Sequence, residues 1–152
     1  MMDYASLPRK RMGSGCLIFN PAGQLLLVKP NYKQGWEIPG GIVEDNESPG
    51  QCCIREVKEV VGLDVTDLEL LVVDYNTYPD HKEKTESLMF IFRGGEVSED
   101  SIVLDENDHE KFEFCDVSAL DDYLTGPTLE RVRLALMQAQ AGKAVYSEDQ
   151  KI

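Results

Sequence analysis

The sequence lacks the features that mark secreted, membrane-spanning and disulfide-stabilised proteins. No apolar stretch near the N-terminus is long enough for a signal peptide, and no later run approaches the roughly 20 apolar residues that cross a membrane. The four cysteines, Cys16, Cys52, Cys53 and Cys115, show no C-x-x-C spacing, so reduced thiols are the simplest interpretation. We therefore expect a cytoplasmic protein with no membrane contact.

Basic residues are also scarce. The 152 residues include 15 Lys and Arg against 28 Asp and Glu, which gives a formal net charge of −13. Such a surface repels the backbone of nucleic acid polymers, so we expect none as partners. A small phosphorylated molecule can still bind if divalent cations lie between its charges and those of the protein. The position of each carboxylate along the chain therefore matters more than the total.

The order of apolar segments predicts one domain. The chain shows no internal repeat, low-complexity segment or long linker, so we predict a single domain over residues 1–152, with flexible tails at about 1–10 and 146–152. Apolar runs that end at turn residues predict strands, and the first two of them form a predicted hairpin. The predicted strands cover residues 15–20, 24–29, 68–75, 87–93 and 111–115.

Two segments are predicted to form helices. The first, residues 49–61, has Ser48 as its N-cap, Gln51 in the capping-box position and Gly62 at its end. The second covers about residues 128–141 and is followed by a glycine. One arc of the first helix is apolar and is expected to face the core; its members are Cys53, Ile54, Val57, Val60 and Val61.

Glu56 and Glu59 lie side by side on the neighbouring arc of the first helix. Two close carboxylates repel each other and raise at least one pKa, and a hard divalent cation removes that penalty. A solvated acidic helix edge is the competing interpretation, and the pair alone does not decide between the two.

A longer pattern surrounds this pair. The sequence WEIPGG at 36–41 precedes Glu47, and REVKE at 55–59 precedes Gly62 and Leu63. This pattern resembles the Nudix box, G-x5-E-x7-R-E-U-x-E-E-x-G-U, in which U is an apolar residue. The residues in register are Gly41, Glu47, Arg55, Glu56, Val57, Glu59, Gly62 and Leu63. The resemblance implies the Nudix-type α/β fold, an α/β/α sandwich with a mixed β-sheet between helices.

The resemblance also implies roles for the matching residues. Glu56 and Glu59, with the carbonyl of Gly40, would hold Mg²⁺ or Mn²⁺. Glu47 and Arg55 would form a supporting ion pair, and Gly41 would allow the tight backbone turn before the loop. The implied reaction is hydrolysis of a phosphoanhydride in a nucleoside diphosphate linked to another group. Family members often pair, so a homodimer is possible.

One position departs from the family pattern. Val60 replaces the second glutamate of the E-E pair, which is commonly a metal ligand in the family. Three interpretations stay open. Another acid compensates, the enzyme works slowly with fewer ligands, or the domain binds a nucleotide without hydrolysing it. The candidates for compensation are Glu44, Glu106, Asp108 and Glu110.

A catalytic base in this family often comes from a loop late in the chain. Glu106, Asp108 and Glu110 occupy such a segment here, although an ordinary solvated turn explains them equally well. For stacking on a base, the candidates are Trp36 and Tyr78, but Trp36 has packing of the loop as its competing role. The dipeptide that Tyr78 forms with the next proline tilts the prediction weakly toward ADP-ribose or a nucleotide sugar over nucleoside triphosphates.

Overall fold

The computed structural model of the chain describes residues 1–77 and 86–152. Helix α1 has the predicted bounds, whereas several strands extend beyond theirs. The strands are β1 (Arg11–Phe19), β2 (Leu25–Pro30), β3 (Gly40–Ile42), β4 (Glu69–Asn76), β5 (Ser87–Glu96), β6 (His109–Cys115) and β7 (Val145–Glu148), and the helices are α1 (Pro49–Val61) and α2 (Gly126–Ala141). No helix in these two ranges is long and apolar enough to cross a lipid bilayer.

The strands form one mixed sheet in the order β6-β2-β1-β5-β4-β7, and β3 pairs with β1 outside this path. Strand β1 runs parallel to β5, and β4 runs parallel to β7, whereas the other pairs are antiparallel. The sheet therefore places the short β3, which carries the two glycines of the motif, beside the middle of the fold.

A helix covers each face of this sheet. Successive side chains of a strand point to opposite faces, and in β2 this sends Leu25 and Leu27 to one core cluster and Leu26 and Val28 to the other. The first cluster contains the buried residues of α2, and the second contains those of α1. The predicted α/β/α sandwich with a mixed sheet is confirmed.

Two strands were not predicted, and one of them overlaps the segment expected to be a flexible C-terminal tail. Strand β3 has only three residues, two of them glycine, so it carries no apolar pattern. Strand β7 lies within the tail that was expected to be flexible from residue 146, yet it pairs with Val72–Tyr75 of β4. The backbone N–H groups at the edge of β4 hydrogen-bond to the four-residue strand β7. A short window of sequence cannot show this pairing. Residues 1–10 are exposed throughout.

The first helix has the predicted ends but a shifted buried face. Ser48 and Gln51 form the reciprocal capping box, and Gly62 ends the helix with a left-handed φ of 73°. Ile54, which was expected to face the core, is 39% exposed, whereas Cys52 is fully buried. Because α1 packs on β3 as well as β1, its contact face extends toward Cys52, whose thiol lies 3.7 Å from the carbonyl oxygen of Gly41.

Candidate active site

Arg55 is the centre of a cluster of carboxylates at the start of α1. Its Nε donates to Glu47 at 2.7 Å and its Nη2 donates to the other oxygen of Glu47 at 3.0 Å. Its Nη1 donates to Glu56 at 2.7 Å and to Glu59 at 3.3 Å, and Nη2 also reaches the Ile42 carbonyl at 3.1 Å. One guanidinium therefore ties the loop, β3 and the two motif glutamates together.

Glycine at position 41 provides the space that Glu56 occupies. A Cβ atom built on Gly41 would collide with all three atoms of the Glu56 carboxylate group. A Cβ on the neighbouring Gly40 would collide with the Ser14 carbonyl of β1. The two glycines thus have separate reasons: Gly40 allows β3 to approach β1, and Gly41 leaves room for a carboxylate directly against the backbone.

The two glutamates on either side of Arg55 differ in their electrostatics. A hydrogen bond from Arg55, with a further one from the Glu44 backbone N–H, lowers the pKa of Glu47 to about 2. Burial raises the pKa of Glu56, although Arg55 opposes the effect. Glu47 is therefore a stable anion that holds Arg55 in place. The carboxylate of Glu56 is partly desolvated, so a further cation beside it would stabilise its charged form.

The donor set at this place fits a hard divalent cation. Glu56 and the 59%-exposed Glu59 supply carboxylate oxygens from adjacent turns of α1, and the Gly40 carbonyl is the third oxygen that the motif implies. Among residues 1–77 and 86–152, no group of three or more acidic, histidine or cysteine side chains is arranged to hold a metal ion. Mg²⁺ commonly takes only one or two carboxylates and fills its remaining positions with water and substrate phosphate, so two carboxylates and one carbonyl oxygen are compatible with it.

Val60 belongs to the core and not to the acidic face. Its side chain is 6% exposed and packs in the cluster beneath α1. The backbone carbonyl of Val60 accepts from the N–H of Asp105 at 2.9 Å, and the Val61 carbonyl accepts from Val103 at 2.9 Å. The segment that leads to the late acidic loop is therefore attached to the C-terminal end of α1.

The late acidic residues Glu106, Asp108 and Glu110 follow this attached segment in the chain and have different surroundings. The Asp108 carbonyl accepts from the Asn31 N–H at 2.9 Å, and Glu110 pairs with Lys29 at 2.9 Å, which lowers the pKa of Glu110. Glu106 lines a separate shallow depression beside Phe112. The structure brings Glu47, Glu56 and Glu59 together around Arg55, and Glu44 Oε1 lies 3.7 Å from Arg55 Nη2. Among the described residues, Glu106, Asp108 and Glu110 form no hydrogen bond with that group.

An open cavity of about 300 Å³ adjoins the two glycines. This volume is at the lower end of the range of small-molecule sites, roughly 300–1,000 Å³. Its walls combine an apolar floor between the sheet and α2 with a few polar groups at the rim. The apolar residues include Ile38, Met89, Ile91 and Val132, and the polar and aromatic ones include Tyr32, Lys33, Thr128 and Arg131.

Trp36, one of the two predicted aromatic candidates, does not line this cavity. Trp36 packs edge-on against Tyr123 with ring centroids 5.3 Å apart, and the Lys111 ammonium lies 5.3 Å from its ring. Trp36 thus has the packing environment that was its competing interpretation. Tyr78 lies outside the described residues. Tyr32 is 65% exposed at the cavity rim instead.

Sequence reasoning missed the contribution of α2 to the site. Thr128 and Arg131 reach the cavity from a helix about 70 residues beyond the motif. A charged residue in the first turns of a helix carries no signal of its own, because most such residues are solvated. Arg131 directly precedes Val132, which is buried. This neighbour was the only sign in the sequence that Arg131 lies at the edge of the core.

The comparisons with known proteins agree with this arrangement. A 75-residue segment is 40% identical to an RNA pyrophosphohydrolase of Hydrogenovibrio crunogenus and covers 47% of this chain and 46% of that protein. A 45-residue segment is 49% identical to an 8-oxo-dGTP diphosphatase of Proteus vulgaris and covers 30% of this chain and 40% of that one. The chain thus spans less than half the length of these curated relatives.

Solved structures show the same fold at low identity. The NUDIX domain of Shewanella oneidensis NrtR, solved with ADP ribose, superposes with a TM-score of 0.70 at 16% identity and covers 93% of both chains. The MutT protein of Methanosarcina mazei gives 0.67 at 21% identity, over 91% of this chain and 99% of that one. The family profile described as NUDIX domain matches residues 9–135. The motif, the sandwich and this match lead to one conclusion: the chain belongs to the NUDIX domain family.

Proposed function

We propose that the protein is a metal-dependent hydrolase of the phosphoanhydride bond in a nucleoside diphosphate linked to another group. The observation that carries the proposal is the carboxylate of Glu56 pressed against Gly41, at the edge of a cavity that Gly41 itself lines. A partly desolvated carboxylate beside a small-molecule cavity is the arrangement that a cation and a diphosphate would complete.

The protein's own residues divide the work in this proposal. Arg55 orients Glu56 through its Nη1 and is itself held by the two oxygens of Glu47. Glu56, Glu59 and the Gly40 carbonyl would hold Mg²⁺ or Mn²⁺, which supplies neutralisation of the diphosphate charge and a water of lowered pKa. The apolar floor of the cavity would take the nucleoside, and Lys33 at the rim would face its phosphates. Glu106, Asp108 and Glu110 stay candidates for the base.

A second candidate function is nucleotide binding with little or no hydrolysis. Val60 is buried in the core and supplies no ligand at the position where the family commonly has one. A site with two carboxylates could bind a metal–nucleotide complex and still position the attacking water poorly. Under this alternative, the cavity and Arg55 keep their roles and turnover is lost.

A product-release assay with Mg²⁺ and then Mn²⁺ tests the proposal. The panel should hold ADP-ribose, a nucleotide sugar, a nucleoside triphosphate and a 5′-triphosphorylated RNA oligonucleotide. We expect turnover of a diphosphate-linked compound, and we expect Glu56→Gln to reduce it on the order of a hundredfold or more. Asp64→Asn is the matched control, because the Asp64 side chain is 80% exposed and, within the part of the chain that the structure describes, pairs only with Lys58 at 3.2 Å.

The outcomes separate the candidates. Near wild-type turnover by Glu56→Gln at saturating Mg²⁺ would contradict the assigned role of Glu56. Binding of a panel member without turnover would select the second candidate. The weak preference for ADP-ribose rests on residues outside the described ranges, so the panel decides it. Turnover of the RNA would overturn the expectation that no nucleic acid polymer binds, and cytoplasmic location and a homodimer stay predictions.

A further inference from the structure

A buried polar network fixes one side of the cavity. Asp74 of β4 is fully buried, and its carboxylate accepts four hydrogen bonds. The donors are Arg131 Nε at 2.8 Å, Ser147 Oγ at 2.7 Å, the Gln150 backbone N–H at 2.9 Å and Gln150 Nε2 at 3.0 Å. Asn76 extends the network, because its Oδ1 accepts from Arg131 Nη2 at 2.6 Å and from Gln150 Nε2 at 2.9 Å. Three separate parts of the chain, β4, α2 and the C-terminal segment, therefore meet at the Asp74 carboxylate.

These contacts occupy only one edge of the Arg131 guanidinium. An arginine has five N–H donors in a planar fork, and Asp74 and Asn76 take two of them along the edge formed by Nε and Nη2. The guanidinium makes no other hydrogen bond within residues 1–77 and 86–152. The opposite edge, formed by Nη1 and the second hydrogen of Nη2, keeps two parallel donors. Arg131 lines the cavity, and its side chain is 12% exposed.

We infer that Arg131 selects the base of the substrate and that the preferred base is guanine. Two parallel N–H donors of an arginine match the adjacent O6 and N7 acceptors of guanine, whereas adenine offers an amino donor in place of O6. Asp74 and Asn76 act as positioning residues, because they accept hydrogen bonds from the guanidinium without lining the cavity, and Gln150 donates to both of them. The inference rests on the proposed function, since it assumes that the apolar floor takes the nucleoside.

The surroundings make this arginine suited to discrimination. Its charge is already balanced by a fully buried carboxylate at 2.8 Å, so it needs no phosphate to neutralise it. The two free N–H donors of Arg131 lose their water when a base enters the apolar cavity. A base without acceptors at that place leaves both donors without a hydrogen bond, which lowers its affinity. At the rim, Lys33 pairs with the partly exposed Glu37 at 2.7 Å and Tyr32 is 65% exposed, so neither is held by a fully buried carboxylate.

Calorimetric titration of the wild-type protein with nucleoside diphosphates, in the presence of Mg²⁺, tests the inference without any variant. We expect GDP to bind roughly 5- to 150-fold more tightly than ADP, the range of one good arginine–guanine pair. Inosine diphosphate keeps O6 and N7, so it should bind like GDP. The 7-deaza analogue of GDP lacks the N7 acceptor, so it should bind more weakly than GDP.

A conservative variant tests the residue itself. Arg131→Lys keeps the charge opposite Asp74 but has no planar fork, so the ratio of GDP to ADP affinity should fall to within about threefold of unity. Arg133→Lys is the matched control, because Arg133 is exposed, pairs with Glu130 at 3.1 Å and does not line the cavity. If Arg131→Lys does not fold, the wild-type ligand series still decides.

The possible failures are distinguishable. Wild-type protein that binds GDP and ADP equally, or an unchanged ratio in Arg131→Lys, overturns this inference and leaves the proposed function intact. Wild-type protein that binds no nucleotide in the presence of Mg²⁺ overturns the proposed function, and the inference falls with it. A purely structural role for Arg131 would lower the melting temperature of the variant without changing the affinity ratio.

Discussion

Two residues without polar side chains define the space around Glu56. Gly41 lies against its carboxylate from β3, and Val60 occupies the next turn of α1 on the core side. Each sets a different limit, because a larger group at position 41 would displace the carboxylate and a charged group at position 60 would lose its solvation. The chemistry of the candidate site therefore depends on the absence of a side chain at position 41 and of a charged group at position 60.

Gly41→Ala should weaken metal-dependent activity more than it weakens the fold. The added methyl group meets the end of a flexible side chain, so Glu56 can rotate away at small cost to packing but leaves its position beside the cavity. We expect a higher half-saturating Mg²⁺ concentration and a melting temperature within a few degrees of wild type. Gly50→Ala is the control, since its nearest neighbour would be Ser48 Oγ at 3.9 Å. Equal effects of both substitutions would contradict this explanation.

Val60→Glu should lower stability in the absence of metal. The substitution removes an apolar side chain that is 6% exposed, whose burial stabilises by roughly 1.5–3 kcal/mol, and it places a carboxylate in its environment. Thermal unfolding with EDTA should show a melting temperature several degrees lower. An unchanged value would show that position 60 has access to water. A larger gain from Mg²⁺ in the variant than in wild type would identify Val60 as a lost metal ligand.

At the scale of elements, α1 and the loop before it behave as one unit because of a single side chain. Arg55 bonds to the loop through Glu47, to β3 through the Ile42 carbonyl and to its own helix through Glu56 and Glu59. A bidentate arginine–carboxylate pair has a defined geometry in addition to its electrostatic attraction. The pair formed by Arg55 and Glu47 therefore fixes the orientation of the loop relative to the helix.

Arg55→Ala should therefore impair both stability and activity. Without the guanidinium, Glu47, Glu56 and Glu59 face one another with no cation, and their repulsion acts on the loop and the helix together. We expect a melting temperature lower by several degrees and a turnover reduced with it. Arg133→Ala, which removes an exposed arginine from a pair at 3.1 Å on α2, provides the comparison. If both variants melt alike, the Arg55 cluster contributes nothing to stability.

At the scale of the whole molecule, Asp74 joins α2 and the C-terminal segment to β4, the strand next to the edge of the sheet. Its carboxylate receives Arg131 from α2 and Ser147 and Gln150 from the last residues of the chain. Burial alone would raise the pKa of Asp74, but the hydrogen bonds from Gln150, Ser147 and Arg131 outweigh it, and the pKa lies below its ordinary value of 3.8.

This lowered pKa predicts the direction of acid destabilisation. A carboxylate with a lower pKa in the folded state stabilises the fold above its ordinary pKa, and the contribution is lost as the pH falls through the folded value. Asp74→Asn should cost roughly 1.5–3 kcal/mol at pH 7, the range for hydrogen bonds to a charged group. Urea unfolding from pH 7 to pH 3 should show the two proteins converging below about pH 4. Parallel curves would mean that Asp74 has the same pKa in both states.

The sequence by itself determined the features that depend on local spacing. The limits of α1 follow from Ser48, Gln51 and Gly62, whose cap hydrogen bonds involve residues no more than four apart. The pairing of Arg55 with Glu47 and the closeness of Glu56 to Glu59 were also predictable, because the motif and the turn of a helix set these distances.

Only the tertiary structure decided which distant residues complete the site. Strand β7 forms because the edge of β4 offers backbone partners, although its four residues resemble a tail. Arg131 reaches the cavity because Asp74, 57 positions away in the chain, holds its guanidinium from across the sheet. Cys52 replaced Ile54 in the core because β3 packs on that side of α1. These outcomes depend on contacts between elements far apart in sequence, and the energy of such contacts is set by the packed fold and not by the residues flanking them.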